Sequence, residues 1–344
     1  MPQSAISRLV ELAKQLAPGS VSIIIDNLTA FQKFHAALPA SVSIGVFIKI
    51  DTGYHRAGIE TLSPDFPSLV AAVANESSSE GAYFKGFYSH YGHSYAGSSE
   101  DDAAKGLIAE FTGLETALKA VPGGFQGKEK LVLSVGATPT ATAAQNMLSS
   151  SSPRVKQFHD ILTRLKTQAK VELHAGVYPL LDCQQIATHA RPSNAPSQPG
   201  FQPLSKDAIA IKMLLEVTSV YNERAKPEAL VAAGSLALGR DPCKSYPGWG
   251  IVTPDLGNAS ATSIYDESGD STGWIVGSIS QEHGILRWEG DKQKCNELEI
   301  GSKVMVWPNH ACVVGAGTGW YLIVDSGEED KEVVRDVWVR WRGW

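Results

Sequence analysis

Residues Ser43–Gly58, with the sequence SIGVFIKIDTGYHRAG, change from an apolar run into a polar segment that contains two glycines. The run Ser43–Ile50 is short and rich in β-branched residues, which favours a buried strand. The polar segment that begins at Asp51 therefore follows the carboxyl end of a strand. In parallel β/α folds, the loops after the strands build the functional site. The stretch predicts such a fold, with Asp51 and Arg56 on one of these loops.

The same order of strand, polar loop and helix recurs through the first half of the chain. Further strands are predicted at Val21–Ile25, Ala82–Tyr88, Leu131–Val135 and Val171–His174. Helices are predicted at Ser7–Leu16, Asn27–Leu38, Pro64–Ala74, Ala103–Val121 and Val155–Gln168. This alternation is typical of a parallel sheet or a (β/α)₈ barrel. Five strands, or six if Ala208–Leu215 closes the sheet, are fewer than the eight of a complete barrel, so we expect an incomplete one.

The pattern changes near residue 205. A Pro- and Ser-rich segment, Arg191–Pro203, predicts a linker, and the Ser-rich segments Glu76–Glu80 and Ser149–Ser152 predict mobile connectors. The later runs lack intervening helices, which indicates an antiparallel β domain. They are Ala208–Tyr221, Ala229–Ala237, Gly273–Ser280, Gly284–Trp288, Lys303–Trp307, Cys312–Val314, Trp320–Val324 and Val334–Trp341. The fold class is therefore α/β, with an incomplete TIM-type β/α barrel over residues 1–205 and an antiparallel β domain over residues 206–344.

The charge and the cysteines exclude several function classes. A net charge of -6 gives no basic surface for nucleic acid or an anionic membrane. Four widely spaced cysteines in a long chain, with no apolar signal peptide at the start, make disulfides unexpected. The apolar runs are too short to span a bilayer. We expect a cytoplasmic protein that binds neither nucleic acid nor membrane.

The segment Trp307–Cys312, WPNHAC, carries a candidate metal pair. Side chains at i and i+2 lie on one face of an extended strand, so His310 and Cys312 can direct an imidazole nitrogen and a thiolate sulfur at one point. This ligand set suits Zn²⁺, and two protein ligands leave positions for substrate and water, as catalytic zinc needs. The alternative is a core cysteine beside a structural histidine, because free cysteine is among the most buried residue types.

Three other patterns each allow two interpretations. The segment Gly136–Thr142 follows a strand and precedes a helix, so it can hold a phosphate or can be an ordinary helix cap. Asp51 and Arg56 can serve the site or can pair to brace their loop. His90 and His93 flank Gly92 and can contact a ring or a metal, or can be hydrogen-bonded structural residues.

Five segments spread through the chain match one known family. They are Asp51–Gly58, Gly92–Tyr95, Ser134–Thr140, His174–Tyr178 and Pro308–Cys312. Together they resemble the eukaryotic D-serine dehydratase family, which belongs with the alanine-racemase-like, fold-type III pyridoxal-phosphate enzymes. The resemblance covers nearly the whole chain in one order. It implies that the first domain is an alanine-racemase-like cofactor-binding barrel.

The resemblance also implies cofactors and site residues. Pyridoxal 5'-phosphate and Zn²⁺ are the expected cofactors, and His310 and Cys312 are the expected zinc ligands. The residues expected around the cofactor phosphate are Gly136, Thr138, Gly176 and Tyr178. His93 and Tyr95 are expected to face the cofactor ring. Glu282 and His283 precede the zinc pair in the same domain, and we assign them as a candidate proton donor or a partner of the zinc ligands.

By the same resemblance, the reaction converts D-serine into pyruvate and ammonia, and the expected partner is a small D-amino acid. Alternatives are a D-threonine-aldolase-like lyase and a non-catalytic truncated homologue. Cys312 argues against the aldolase, because those enzymes usually carry an acidic ligand there. A homodimer is expected, because related enzymes place the site between a barrel and the β domain of another subunit.

One position departs from the family pattern. The family carries its cofactor on a lysine of the first barrel strand, whereas this chain opens on a helix whose following strand resembles the fourth. Lys49 is the strand lysine closest to a motif, but it lies on a different strand from the family's lysine. The expectation is that these residues alone fold poorly, do not bind the cofactor covalently and release no pyruvate.

Overall fold

The computed structural model describes residues 1–344 except 77–80, 124, 126, 128, 149–152, 192–203, 255–270, 329, 331 and 342–344. The chain divides into two compact units, Met1–Ala175 and Gly176–Trp344. The predicted connectors and linker lie outside the described residues, apart from Glu76 and Arg191. The assignment of residues 1–205 to one domain and 206–344 to the other stays a prediction.

The first unit is a parallel β/α sheet. Its strands pair side by side in chain order, and they are β1 (Ser22–Ile25), β2 (Ser43–Ile50), β3 (Gly81–Ser89), β4 (Val132–Val135) and β5 (Lys170–Leu173). Its helices are α1 (Ile6–Gln15), α2 (Leu28–Ala36), α3 (Phe66–Asn75), α4 (Glu100–Lys119), α5 (Thr138–Asn146) and α6 (Pro153–Gln168). The strands and helices predicted from the sequence are confirmed. A short 3₁₀ helix, Gly92–Ala96, follows β3.

Burial and capping explain these elements. Most side chains of β2 are buried on both faces, as in a parallel sheet with covered faces. The Asn27 side chain accepts from the Ala30 N–H and starts α2, and Ser99 accepts from the Asp102 N–H at the start of α4. Because the chain returns by a helix after each strand, all five strands run in one direction and their carboxyl ends lie along one edge.

The second unit is built on a closed antiparallel barrel. Its strands are β6 (Met213–Tyr221), β7 (Glu228–Val231), β8 (Gly250–Val252), β9 (Gly273–Ile279), β10 (Gly284–Glu289) and β11 (Lys303–Pro308), in the order β10-β7-β6-β11-β8-β9. Its helices are α7 (Cys183–Ala187), α8 (Ser235–Leu238) and α9 (Ala311–Ala316), and a hairpin of β12 (Trp320–Ile323) and β13 (Asp336–Val339) follows. Inside the barrel, the rings of Trp274 and Trp288 are fully buried and meet edge to face at 5.8 Å.

Three sequence expectations for this unit are wrong. Ala208–Leu215 does not close the parallel sheet, because its strand begins at Met213 and pairs with β7 and β11 in the barrel. The strand predicted at Ala229–Ala237 ends at Val231, and Gly234 then packs so close to the turn after β9 that a Cβ there would lie 2.4 Å from the Ser280 carbonyl oxygen. Cys312–Val314 is helical rather than extended.

All four cysteines are unpaired, as predicted. None of the described helices combines the length and the apolar character that crossing a membrane requires.

Candidate functional site

A stack of rings lies in the first unit at the carboxyl ends of the strands. The rings of Tyr88 and His174 are 4.3 Å apart and nearly parallel, and the ring of His90 lies 6.3 Å from that of His174. The Nζ atom of Lys49 lies 4.9 Å from the centre of the Tyr88 ring. Burial lowers the pKa of Lys49, with a further contribution from the charge of Arg56. Burial also lowers the pKa of His174 to about 4, so this imidazole is neutral at pH 7.

A hydrogen-bond chain fixes the tautomer of His174. The Ser134 hydroxyl donates to Glu172 at 2.6 Å and lies 3.0 Å from His174 Nδ1. Because the hydroxyl proton points to the carboxylate, the serine oxygen accepts from Nδ1–H, and Nε2 of His174 carries a lone pair. This Nε2 is buried and has no partner in hydrogen-bonding geometry among the described residues, although the backbone of Gly136 lies near enough to the imidazole to oppose the lowering of its pKa; His93 Nδ1 likewise has no partner among these residues. Flat ring faces with unpartnered nitrogens fit a polar aromatic ligand such as the pyridine of pyridoxal phosphate.

Gly136 makes the closest backbone approach at this edge. Its φ is +146°, and a Cβ there would lie 2.1 Å from the His174 carbonyl oxygen. Its own carbonyl lies 2.9 Å from His90 Nδ1, and its N–H donates to Glu110. Gly136 therefore admits a close neighbour, while its N–H is already bonded within the protein. A phosphate at this position would need other donors.

The segment after Gly136 supports the helix-cap interpretation for one threonine. The Thr140 hydroxyl accepts from the Ala137 N–H at 2.9 Å, which stabilises the start of α5. Thr138 is the first residue of that helix and is almost fully buried. The assignment of Thr138 to the cofactor phosphate stays a prediction.

The 3₁₀ helix Gly92–Ala96 carries His93 and Tyr95. The His93 ring stacks on Tyr54 at 5.8 Å and contacts Tyr91 at 3.6 Å between centroids. A Cβ at Gly92 would lie 2.3 Å from the Tyr54 ring, so only glycine permits this approach. These contacts hold the His93 imidazole in place. The contact of Tyr95 with a cofactor stays a prediction.

The loop that begins at Asp51 is braced from within. Oδ1 of Asp51 accepts from the N–H groups of Gly53, Tyr54 and His55, and Oδ2 lies 3.1 Å from His55 Nδ1. Arg56 instead lies over the Tyr54 ring, at 5.0 Å. The alternative in which Arg56 pairs with Asp51 is therefore wrong. Backbone N–H groups and a histidine stabilise the carboxylate.

The candidate metal pair lies in the second unit, where β11 is followed by α9. His310 caps the helix in an extended conformation, and Cys312 is the second helical residue. The strand geometry expected for the pair is wrong, but the two side chains still hydrogen-bond to each other. The hydrogen bond means that the two side chains lie within reach of each other although the backbone is extended only at His310. Imidazole and thiol in contact are a donor set that fits zinc.

Carboxylates surround the imidazole of this pair. Nδ1 of His310 lies 2.6 Å from Oδ2 of Asp241, which leaves Nε2 as the nitrogen that can bind a metal. The hydrogen bond to Cys312 and the nearby carboxylates of Asp182 and Asp241 raise the pKa of His310 to about 9, although burial opposes the shift. A carboxylate that holds the distal nitrogen of a histidine is the usual arrangement at zinc sites.

Buried polar residues fix the backbone before the pair and between its two members. Asp182 accepts from the Ala311 N–H at 2.8 Å and also caps α7. The Asn309 side chain donates to the carbonyl oxygens of Asp241 and Gly248 and accepts from the Tyr246 hydroxyl. With its hydrogen-bonding groups used in this way, Asn309 cannot move without leaving a buried polar group unsatisfied.

Comparisons with known proteins identify the family. Residues 210–324 match the model of a putative serine dehydratase domain, and residues 6–155 match the alanine racemase N-terminal domain. The D-serine dehydratase of Schizosaccharomyces pombe is 34% identical over 99% of this chain and 72% of the relative. That of Saccharomyces cerevisiae is 33% identical over 94% of this chain and 68% of the relative. The chain belongs to the D-serine dehydratase family.

This D-serine dehydratase family member has the fold of a solved structure. An alanine-racemase-like protein from Idiomarina loihiensis matches all of this chain and 77% of its own length, with a TM-score of 0.71 and 23% identity. The sequence resemblance and the predicted fold class are therefore confirmed. As a member of this family, the chain is a lyase.

The remaining predicted site residues of this family member lie in the second unit. A Cβ on Gly176 would lie 3.7 Å from the Cys312 sulfur, so this glycine adjoins the metal pair. Tyr178 is 41% exposed. Glu282 and His283 are exposed on the turn between β9 and β10, where the His283 carbonyl closes the hairpin by accepting from Ser280 N–H. Their catalytic role stays a prediction.

Sequence reasoning missed Asp182, Asp241 and Glu110. The order Asp182-Cys183-Gln184-Gln185 is a recognisable cap signal, with a carboxylate at the cap and a glutamine three residues later. No local signal distinguishes the other two acids, because their partners are distant in the sequence.

Proposed function

We propose that the protein is a D-serine ammonia-lyase that depends on pyridoxal phosphate and zinc and converts D-serine into pyruvate and ammonia. The observation that carries the proposal is the contact between His310 and Cys312, backed by Asp241, in a chain of the D-serine dehydratase family. The two yeast relatives are named D-serine dehydratases, which supports D-serine as the substrate. Cleavage of the kind that D-threonine aldolases perform is less well supported. Those aldolases usually carry an acidic metal ligand where this chain has Cys312.

The metal pair supports the proposal, because the hydroxyl group of the substrate is a poor leaving group. Zinc bound there would act as a Lewis acid on the β-hydroxyl of the substrate. His310 would offer Nε2, since Asp241 holds the opposite nitrogen, and Cys312 would bind as the thiolate. Asp182 keeps the backbone between the two ligands in place.

The ring stack explains how the cofactor would be held. Pyridoxal phosphate supplies an electron sink for charge that develops at Cα. Tyr88 and His174 present ring faces, and the unpartnered Nε2 of His174 can accept a proton from a ligand. His93 and Tyr95 are proposed at the ring. Gly136, Thr138, Gly176 and Tyr178 are proposed around the phosphate, and Glu282 with His283 as the proton donor.

We include a cytoplasmic homodimer in the proposal. Four unpaired cysteines suit a reducing compartment. The proposal of a dimer is based on the resemblance to the family. Light scattering that gives a monomer mass for the folded protein would contradict it.

The assay that tests the proposal supplies the purified protein with pyridoxal phosphate, Zn²⁺ and D-serine. Pyruvate and ammonia released in equal amounts from D-serine, and none from L-serine, would support the proposal and would contradict the expectation that these residues alone release no pyruvate. Production of glycine and acetaldehyde from D-threonine, without pyruvate from D-serine, would favour the aldolase instead.

Asp241→Ala should weaken zinc binding about 10- to 100-fold, because carboxylates that orient a metal-binding histidine have effects of this size. Competition with a chromophoric zinc chelator measures the affinity. The exposed Asp207→Ala serves as a control for loss of an acid in the same unit. An affinity equal to that of the unmodified protein would mean that Asp241 does not orient His310.

A further inference from the structure

One face of α4 contains two glycines and a buried acid. Gly106, Glu110 and Gly113 follow each other at four and three residues, so they lie on the same side of the helix. Glu110 has no exposed surface. A carboxyl group is costly to bury, and its presence in the middle of a helix requires hydrogen-bond donors around it.

The glycines bring this face against loops that follow the strands. A Cβ on Gly106 would lie 2.9 Å from the Tyr91 ring and 3.0 Å from the Thr140 methyl group. A Cβ on Gly113 would lie 2.7 Å from the Thr52 methyl group. The backbone of the helix thus lies directly against side chains of the loops after β2 and β3 and of the first turn of α5.

Glu110 bonds to two of these loops at once. Its Oε1 accepts from the Tyr91 N–H at 2.9 Å and from the Gly136 N–H at 3.1 Å, and its Oε2 accepts from the Thr140 hydroxyl at 2.9 Å. The Ser89 hydroxyl is a weaker donor at 3.4 Å. One carboxyl group therefore joins the end of β3 to the end of β4 and the first turn of α5.

The partners of Glu110 are neighbours of the residues in the ring stack and the 3₁₀ helix. Tyr91 contacts the His93 ring, and the Gly136 carbonyl lies 2.9 Å from His90 Nδ1. We propose that Glu110 is a positioning residue that holds the loops after β3 and β4 in the geometry that binds the cofactor. The cofactor part of this inference rests on the proposed function.

Replacing Glu110 with glutamine or with alanine distinguishes hydrogen bonding to the loops from a role in core packing alone. Burial raises the pKa of Glu110 to about 7, against the opposing hydrogen bonds from Thr140, Gly136 and Tyr91. Glu110→Gln resembles the protonated acid. Its oxygen can accept from both N–H groups, and its amide can donate to the Thr140 hydroxyl. Glu110→Ala leaves both N–H groups without an acceptor.

Hydrogen exchange on the protein without added cofactor tests the positioning. We expect Glu110→Ala to speed exchange in the peptides that contain Tyr91 and Gly136, and Glu110→Gln to restore slow exchange. Leu107→Ala is the matched control, because Leu107 is equally buried on the same helix but has an apolar side chain that cannot bond to the loops. It should lower the melting temperature without selective exchange in those two peptides.

Titration with pyridoxal phosphate tests the consequence. We expect Glu110→Ala to weaken binding about tenfold or more, equivalent to one lost hydrogen bond to a buried group. Glu110→Gln and Leu107→Ala should bind like the unmodified protein. If Glu110→Ala does not fold, Glu110→Asp replaces it, since the shorter acid keeps its charge but cannot reach both loops.

The outcomes separate the inference from the proposed function. The inference is overturned if the two peptides exchange at the same rate in Glu110→Ala as in Leu107→Ala. The same comparison applies to Glu110→Asp where that variant replaces Glu110→Ala. Selective exchange with unchanged cofactor affinity also overturns it, because the loops then move without affecting binding. Failure of the unmodified protein to bind pyridoxal phosphate refutes the proposed cofactor, and with it the cofactor part of this inference, while the exchange result still decides whether Glu110 holds the loops.

Discussion

Replacing His310 and Cys312 together with alanine should remove zinc from the protein and, if the unmodified protein releases pyruvate from D-serine, should stop that release. The two side chains are in contact and together offer one nitrogen and one sulfur donor. Loss of a Lewis acid removes several kcal/mol of stabilisation from the departing hydroxyl, which corresponds to a rate lower by on the order of a thousandfold.

Metal analysis of the purified double variant gives the zinc content, and a coupled assay gives the pyruvate. The control is His159→Ala with Cys295→Ala, which removes one histidine and one cysteine elsewhere in the chain. His159 is exposed on α6 and Cys295 lies partly buried beside the barrel core. Zinc content that stays undiminished in the His310 and Cys312 variant would refute the assignment.

Gly136→Ala should destabilise the protein by about 3 to 5 kcal/mol, from a strained backbone together with a steric clash. A φ of +146° is rarely adopted by residues with a Cβ, and the new atom would lie 2.1 Å from the His174 carbonyl oxygen. The backbone at His174, just after β5, would have to move, and the ring stack of Tyr88 and His174 with it. Cofactor binding should fall as well.

Chemical denaturation measures the change in the free energy of unfolding. Gly81→Ala is the matched control, because its φ is +86° and no atom lies within 4 Å of the added Cβ. It should cost only the backbone strain, about 1 to 2 kcal/mol. Equal losses in the two variants would show that the close approach at Gly136 is relieved without cost.

Local patterns explain why the first unit could be predicted from its sequence. Runs such as Ser43–Ile50 are short, β-branched and followed by polar loops, and burial on both sides of the sheet leaves no competing interpretation. The prediction was wrong where local preference and tertiary contacts disagree. Val313 and Val314 favour a strand, but the Asp182 carboxylate accepts from the Ala311 N–H and a helix starts there.

Only part of the candidate site could be predicted from local sequence patterns. His310 and Cys312 are close in the sequence, so their chemistry could be recognised even though their backbone geometry could not. Asp241 lies 69 residues from His310, and Glu110 lies 26 residues from Gly136. Hydrogen bonds over such separations depend on the packing of whole elements, which no local pattern encodes.

The hydrogen bond from Ala311 to Asp182 joins residues that are 129 positions apart. Closing so long a loop has an entropic cost that only a largely folded chain can offset, and contacts of this kind form late in folding. His310 and Cys312 therefore reach their final geometry only when both ends of the second unit have come together. Zinc captured at this pair would slow unfolding of the finished unit rather than nucleate its folding.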